Sequence, residues 1–198
     1  HYRGSFYLDG TDIAEDHAWS MNQIGFVSEE RLFLRQKSAR ENARMLGSFY
    51  DTFDMDQFAA LMEQMDLTTA RTVEKMSRGE NMKFQLAFAL AHKPRLLLLD
   101  EPTSHLDTYS QLALEQAIEK YEGAVLMVSH DFYTVANCMD YVLFVEEKKL
   151  RKMSIRKFRK MIYADHFDKN YLELEQKKKE LENRISFALQ AGKFEEAG

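Results

Sequence analysis

Hydrophobic and polar positions change period several times along this chain, and each change predicts an element. Tyr2–Leu8 and Gln23–Ser28 alternate or run apolar as strands do, with Asp9-Gly10 marking a turn between early segments. From Ser38 to His92 the pattern turns helical. Asp54 with Gln57 three residues later has the form of a capping box, and Phe58, Leu61, Met62 and Met65 then share one helix face. Four consecutive leucines, Leu96–Leu99, suit a strand buried on both faces of a parallel sheet, and Asp100, Glu101 and the strand-stopping Pro102 follow at once. Thr108–Tyr121 reads as a helix with Leu114, Ile118 and Tyr121 in register. Ala124–Ser129 reads as a second buried strand and Tyr141–Val145 as a third. After Glu146 the character changes: Lys148–Lys160 holds eight basic residues, while Ile155, Phe158, Met161 and Ile162 form an apolar stripe. Tyr171, Leu174, Lys178, Leu181, Ile185 and Ala188 then fall on a heptad interrupted only by the lysine, which predicts a charged helix with a narrow seam.

Composition adds bounds. A chain of 198 residues can bury one full core, so one main domain plus an appendage is expected. No apolar run approaches the ~18 residues of a membrane helix, and no charged start with an apolar core reads as a secretion signal. Cys138 is alone, which excludes an internal disulfide and fits a reducing compartment. With 27 basic against 32 acidic residues the net charge is −5, so any nucleic-acid contact has to be a local patch.

Chemistry concentrates at three places. Asp100 and Glu101 end the leucine strand, and strand-end carboxylates beside a phosphate site can hold Mg²⁺ and polarise water. Ser77 and Glu80 form a capping box for a helix from Asn81 to about His92, whose start offers free N–H groups and a positive dipole end. His130 follows the apolar run Ala124–Val128 and Ser129.

Together these segments resemble the ATP-binding cassette (ABC) ATPases. Leu96–Asp107 (LLLLDEPTSHLD) is similar to their Walker B strand and D-loop. Met76-Ser77-Arg78-Gly79-Glu80, some twenty residues earlier, stands where their signature usually reads LSGGQ. The resemblance implies an α/β fold, with a P-loop-type (RecA-like) parallel sheet core, an inserted helical subdomain at about 38–92, a partial N-terminal antiparallel β-subdomain and a C-terminal charged helix. It implies ATP and Mg²⁺ as cofactors and a second ABC ATPase domain as partner, in cis or as a dimer. Asp100 would coordinate Mg²⁺, Glu101 would act as general base, and His130 would read the γ-phosphate. Ser77, Arg78, Gly79, Glu80 and Asp107 would meet the nucleotide across the dimer interface. Glu29 stands where the family's Q-loop glutamine coordinates Mg²⁺, a carboxylate in place of the amide. Arg78 replaces the signature's first glycine.

One motif is absent: no G-x-x-x-x-G-K-[ST] occurs in the sequence. The resemblance places the P-loop strand and its helix ahead of His1, and that strand between Ala124–Val128 and Tyr141–Val145 in the sheet. The expectation is therefore a fragment of a longer gene product, inactive as an ATPase by itself, with open strand ladders and an exposed apolar surface. Residues 1–150 would form the nucleotide-binding domain, and 151–198 a basic, helical extension serving as a coiled coil or linker arm.

Two clients are implied. Arg40–Pro94 resembles ATPase subunits of bacterial ABC exporters, whose partner is a membrane permease subunit. Ser104–Glu173 resembles ABC-F proteins, cytoplasmic tandem ATPases that act on the ribosome and its RNA, and this second client is the favoured one. The exporter subunit would sit at the inner face of the membrane. A third reading is a non-hydrolysing half that only completes a partner's site with its signature, against which the retained Glu101 and His130 argue.

Overall fold

In the computed structural model, which describes residues 4–28, 30, 32–104 and 106–166, the chain first turns at Asp9-Gly10, both at positive φ. This turn joins β1 (Tyr7–Leu8) to β2 (Thr11–Asp12) as a short antiparallel hairpin. An ion pair from Arg95 to Asp9 ties it to the loop ahead of the main sheet. Helix α1 (His17–Gln23) follows, started by Asp16, whose side chain accepts the Trp19 N–H at 2.9 Å. Its seven residues are too few for an apolar stripe, so periodicity does not reveal it.

The central sheet is parallel, in the order β3 (Ile24–Val27), β4 (Leu96–Asp100), β5 (Ala124–Val128). Ile24 pairs with Leu96 and Leu96 with Ala124, so the three strands start level; β4 and β5 end level at Asp100 and Val128, and β3 ends one residue earlier, with Val27 opposite Leu99. Leu97 and Leu99 are both 1% exposed, as expected of a central strand covered on both faces. β5 is not the buried strand that its apolar run alone suggests; it has the open ladder and exposed apolar side chains that the resemblance leads one to expect. It borders β4 alone among the described residues, and Leu126 and Val128 are exposed. An edge strand lacks the second neighbour that buries a central one.

A helical layer lies against this sheet. α2 (Ala39–Gly47) begins with a full capping box between Ser38 and Glu41. α3 (Met55–Gln64) begins at Asp54, which accepts the N–H groups of Asp56 and Gln57; this is a simple cap rather than the reciprocal box the sequence suggested. α4 (Arg78–Ala91) is the hub, with Met82, Phe84, Leu86, Ala87, Phe88, Ala89 and Ala91 all buried. A helix apolar on every side belongs inside. Phe84 packs on Phe33 at 4.4 Å and Phe58 at 6.1 Å, and Phe88 on Phe33 at 5.0 Å and Phe53 at 4.9 Å. Such tilted and edge-to-face contacts add about 0.5–1.5 kcal/mol per pair beyond burial. Gly25 lets α4 approach β3: a Cβ there would lie 3.0 Å from Leu97 Cδ1 and 3.3 Å from Ala89 Cβ. α5 (Thr108–Glu119) and α6 (Phe132–Cys138) complete this unit.

The chain divides at Met139–Asp140 into two compact units. In the second, β6 (Tyr141–Glu146) and β7 (Lys149–Ser154) pair antiparallel. Glu147 and Lys148 turn between them at φ 49° and 62°, the backbone of a type I′ hairpin. Helix α7 (Ile155–His166) follows, with Phe158 buried against Phe144 at 5.8 Å. The basic stretch is thus shared between strand and helix, because its first half pairs with β6. The Lys152 ammonium lies 3.7 Å from the Tyr141 ring centroid, a diagonal cross-strand cation–π contact. The heptad expected at Tyr171–Ala188 lies outside the described residues. Among the described residues no helix is long and apolar enough to cross a membrane.

Candidate functional site

Parallel strands that end level bring their C-terminal loops to one edge, where open α/β sheets place ligands. Here β4 ends in Asp100, and the chain follows β5 for one further bond, from Glu101 N–H to Val128 O at 2.8 Å. Glu101 has φ +48°, a left-handed conformation that a non-glycine residue adopts at a cost of about 1–2 kcal/mol. The turn aims its carboxylate across to β5's exit. Oε2 accepts the His130 backbone N–H at 3.2 Å, and Oε1 lies 3.4 Å from His130 Nε2. The Glu101 side chain is 24% exposed, whereas the imidazole is 97% exposed and presented to solvent.

The surrounding turns are braced. Thr103 Oγ1 meets Ser129 Oγ at 3.3 Å across the two strand exits. Asp131 caps α6 and receives the Gln111 amide at 2.6 Å, and Thr134 donates to Glu115 at 2.9 Å. This network pins α5 to α6, so the His130 turn is held from both sides. The sequence reading missed it, although Asp131 with Thr134 three residues on carries an N-cap signal.

The second cluster lies at the start of α4. Ser77 caps it: the Glu80 N–H donates to Ser77 Oγ at 3.1 Å, and the Ser77 N–H donates to Glu80 Oε2 at 2.8 Å. Arg71 adds an ion pair to Glu80 at 3.0 Å. A Cβ on Gly79 would sit 3.4 Å from Leu106 Cδ2 and 3.8 Å from Ser110 Oγ, so this helix start abuts the turn after Glu101. Asp107 in that turn caps α5, accepting the Ser110 N–H at 2.7 Å. The structure thus joins Asp100, Glu101 and His130 at the strand ends and sets Ser77–Glu80 beside Leu106–Asp107. Glu29 and His105 lie outside the described residues. The neighbours of position 29 are held by Gln85, a residue the sequence reading did not single out.

Among the described residues no three His, Cys, Asp or Glu groups converge as a ready metal cage. A single strand-end carboxylate suits Mg²⁺, which keeps several waters and binds through one or two carboxylates together with substrate phosphates. Asp100 fits that requirement, being exposed at the sheet edge.

Comparison with known proteins identifies the family and the fold. The family model described as ABC transporter matches residues 1–104, more than half of the 198. The probable ATP-binding protein YheS of Escherichia coli K12 is 39% identical over 131 residues, 65% of this chain and 20% of that protein. The ribosome protection protein VmlR of Bacillus subtilis is 29% identical over 209 residues, 89% of this chain and 36% of that protein. The chain therefore spans between a fifth and two fifths of these relatives. The dimeric ATP-binding cassette MJ0796, solved in a post-hydrolysis state with ADP and Pi, superposes with a TM-score of 0.67 at 21% identity. That match covers 78% of this chain and 74% of the other and shows a shared fold. The strand-end carboxylate, the capped helix start and the family match lead to one conclusion: the chain belongs to the ABC transporter family, with the fold of its ATP-binding cassettes.

Proposed function

We propose that the protein binds and hydrolyses ATP with Mg²⁺ at a head-to-tail interface between two cassettes, and that it acts on the ribosome as an ABC-F-like ATPase. The pairing of Glu101 with His130, at 3.4 Å across two strand exits, carries the reading. Mg²⁺ would neutralise charge on the β- and γ-phosphates, with Asp100 and Glu29 as its protein ligands. Glu101, turned out of line by its positive φ, orients the attacking water and takes its proton at the carboxylate. The exposed His130 imidazole donates to the γ-phosphate. Ser77 and the first-turn N–H groups of α4 meet the partner cassette's nucleotide, with Arg78, Gly79, Glu80 and Asp107 shaping that contact.

For the ribosome, support comes from the similarity to the ribosome protection protein VmlR and from the basic residues of β7 and α7. Phe158 of that helix is buried against Phe144, and Arg156, Lys157 and Lys160 on its surface carry the charge that phosphate takes. The competing reading is the ATP-binding subunit of an exporter, favoured by the character of Arg40–Pro94. Glu101→Gln in the protein expressed from its complete reading frame tests all of this. Turnover is expected to fall at least ~100-fold with ATP binding kept, and the variant should co-sediment with ribosomes in Mg·ATP. Retention on membranes with no ribosome pelleting would favour the exporter reading. Unchanged turnover would remove Glu101 from catalysis.

A further inference from the structure

Gln85 lies in the middle of α4, 2% exposed, between the buried Phe84 and Leu86. A buried primary amide is costly unless its donors and acceptor are met. Here they are met from another element. Its Nε2 donates to Ser28 O at 2.9 Å and Glu30 O at 3.3 Å, and its Oε1 accepts the Ser28 N–H at 3.2 Å. The same Nε2 reaches Asn81 Oδ1 at 2.8 Å, one turn nearer the helix start. Ser28 is 1% exposed, and its hydroxyl accepts the Glu30 N–H at 3.2 Å. β3 ends at Val27, so beyond it this side chain takes over the role of a strand neighbour.

The geometry points to Gln85 as a positioning residue, which fixes the segment on either side of position 29 to helix α4 and so sets the metal affinity of the candidate site. This rests on the proposed place of Glu29 at the metal. A packing role alone needs only volume, which a leucine would supply. A positioning role needs the hydrogen bonds, because Ser28 and Glu30 have their carbonyls turned to one side chain. Asn81 extends the link to the first turn of α4, so one side chain joins the capped helix start to the backbone of Ser28 and Glu30.

The test uses the 198-residue chain and two variants, Gln85→Leu and Gln85→Glu. Amide exchange is read by NMR at Ser28 and at core amides of α4 and β4. In Gln85→Leu, exchange at Ser28 should rise at least ~10-fold while core amides change less than ~2-fold. In Gln85→Glu the volume is kept but the donor to Ser28 O and Glu30 O is lost, so exchange at Ser28 should rise there too, which separates hydrogen bonding from volume. Exchange that rises equally at Ser28 and the core, or protection that survives leucine, would overturn the inference. In the protein from its complete reading frame, Gln85→Leu should raise the Mg²⁺ concentration for half-maximal nucleotide binding about tenfold, with metal-free nucleotide binding unmoved. A Mg²⁺ requirement that does not move, in a wild type that binds Mg·ATP, would refute the role at the metal. A wild type that binds no Mg·ATP sinks the proposed function instead, and with it the metal role, while the exchange contrast still decides the clamp.

Discussion

Gly79→Ala separates packing from chemistry at the start of α4. Gly79 is the second residue of the helix, and its φ is not in the left-handed region, so alanine fits the backbone. The added methyl would lie 3.4 Å from Leu106 Cδ2 and 3.8 Å from Ser110 Oγ, which is ordinary van der Waals contact. Replacing glycine at a compatible position stabilises by about 0.4–1 kcal/mol, chiefly by narrowing the unfolded ensemble. Helix propensity contains the same entropy and is not added again. A stabilisation of about 0.4–1 kcal/mol follows, raising Tm by about 1–4 °C for a chain of this size. Urea and thermal unfolding followed by circular dichroism would measure it. Destabilisation by more than ~1 kcal/mol would show that the helix start and the Leu106 turn lie closer than described, and would refute the packing argument. In the protein from its complete reading frame the same methyl should cut ATP turnover at least ~100-fold, because donors aimed at a phosphate lose their approach. Full turnover in a stabilised variant would take Gly79 out of the nucleotide set.

Further outcomes are expected. Ser77→Ala should cost about 1 kcal/mol in urea unfolding, since the Glu80 N–H loses its acceptor. A change below ~0.3 kcal/mol would mean the cap is not formed. His92 is 1% exposed and stacked on Tyr50 at 4.2 Å, and burial lowers its pKa below the ordinary 6.5. A base with a depressed folded-state pKa binds fewer protons folded than unfolded. Its contribution is therefore complete above about pH 6.5 and lost as pH falls through the folded value. Urea midpoints should decline from pH 7.5 to 5 and decline less in His92→Phe; equal slopes would exclude His92 as the cause. The Cys138 thiol is pushed up to about 12, first by burial and then by Glu115, Glu119 and Asp131. Iodoacetamide at pH 8 should label it at least ~100-fold more slowly in the native chain than in urea. Equal rates would show the thiol is not so enclosed.

Residues with short-range signals were legible without coordinates. Leu96–Leu99 followed by two carboxylates and Pro102 identified β4 and its exit, because an uninterrupted β-run stopped by proline has few other solutions. Ser77 with Glu80 identified a helix start, since a capping box is complete within four residues. The hairpin strand β7 was hidden inside a charge run, because its pairing with β6 is set by the partner strand and not by its own residues. β5 read as buried from its apolar run alone, whereas the resemblance, with no P-loop motif in the sequence, already implied an open ladder beside it, as the sheet order shows.

The sequence alone determined which groups exist at each strand end and helix start, because backbone propensity and capping act over a few positions. It could not determine that Glu101 reaches His130 across 29 residues or that Gln85 spans 57 residues to hold Ser28. Those contacts need strands in parallel register and a buried helix laid along them. Only packing of the whole core supplies that, since the burial that rewards it appears when distant segments meet.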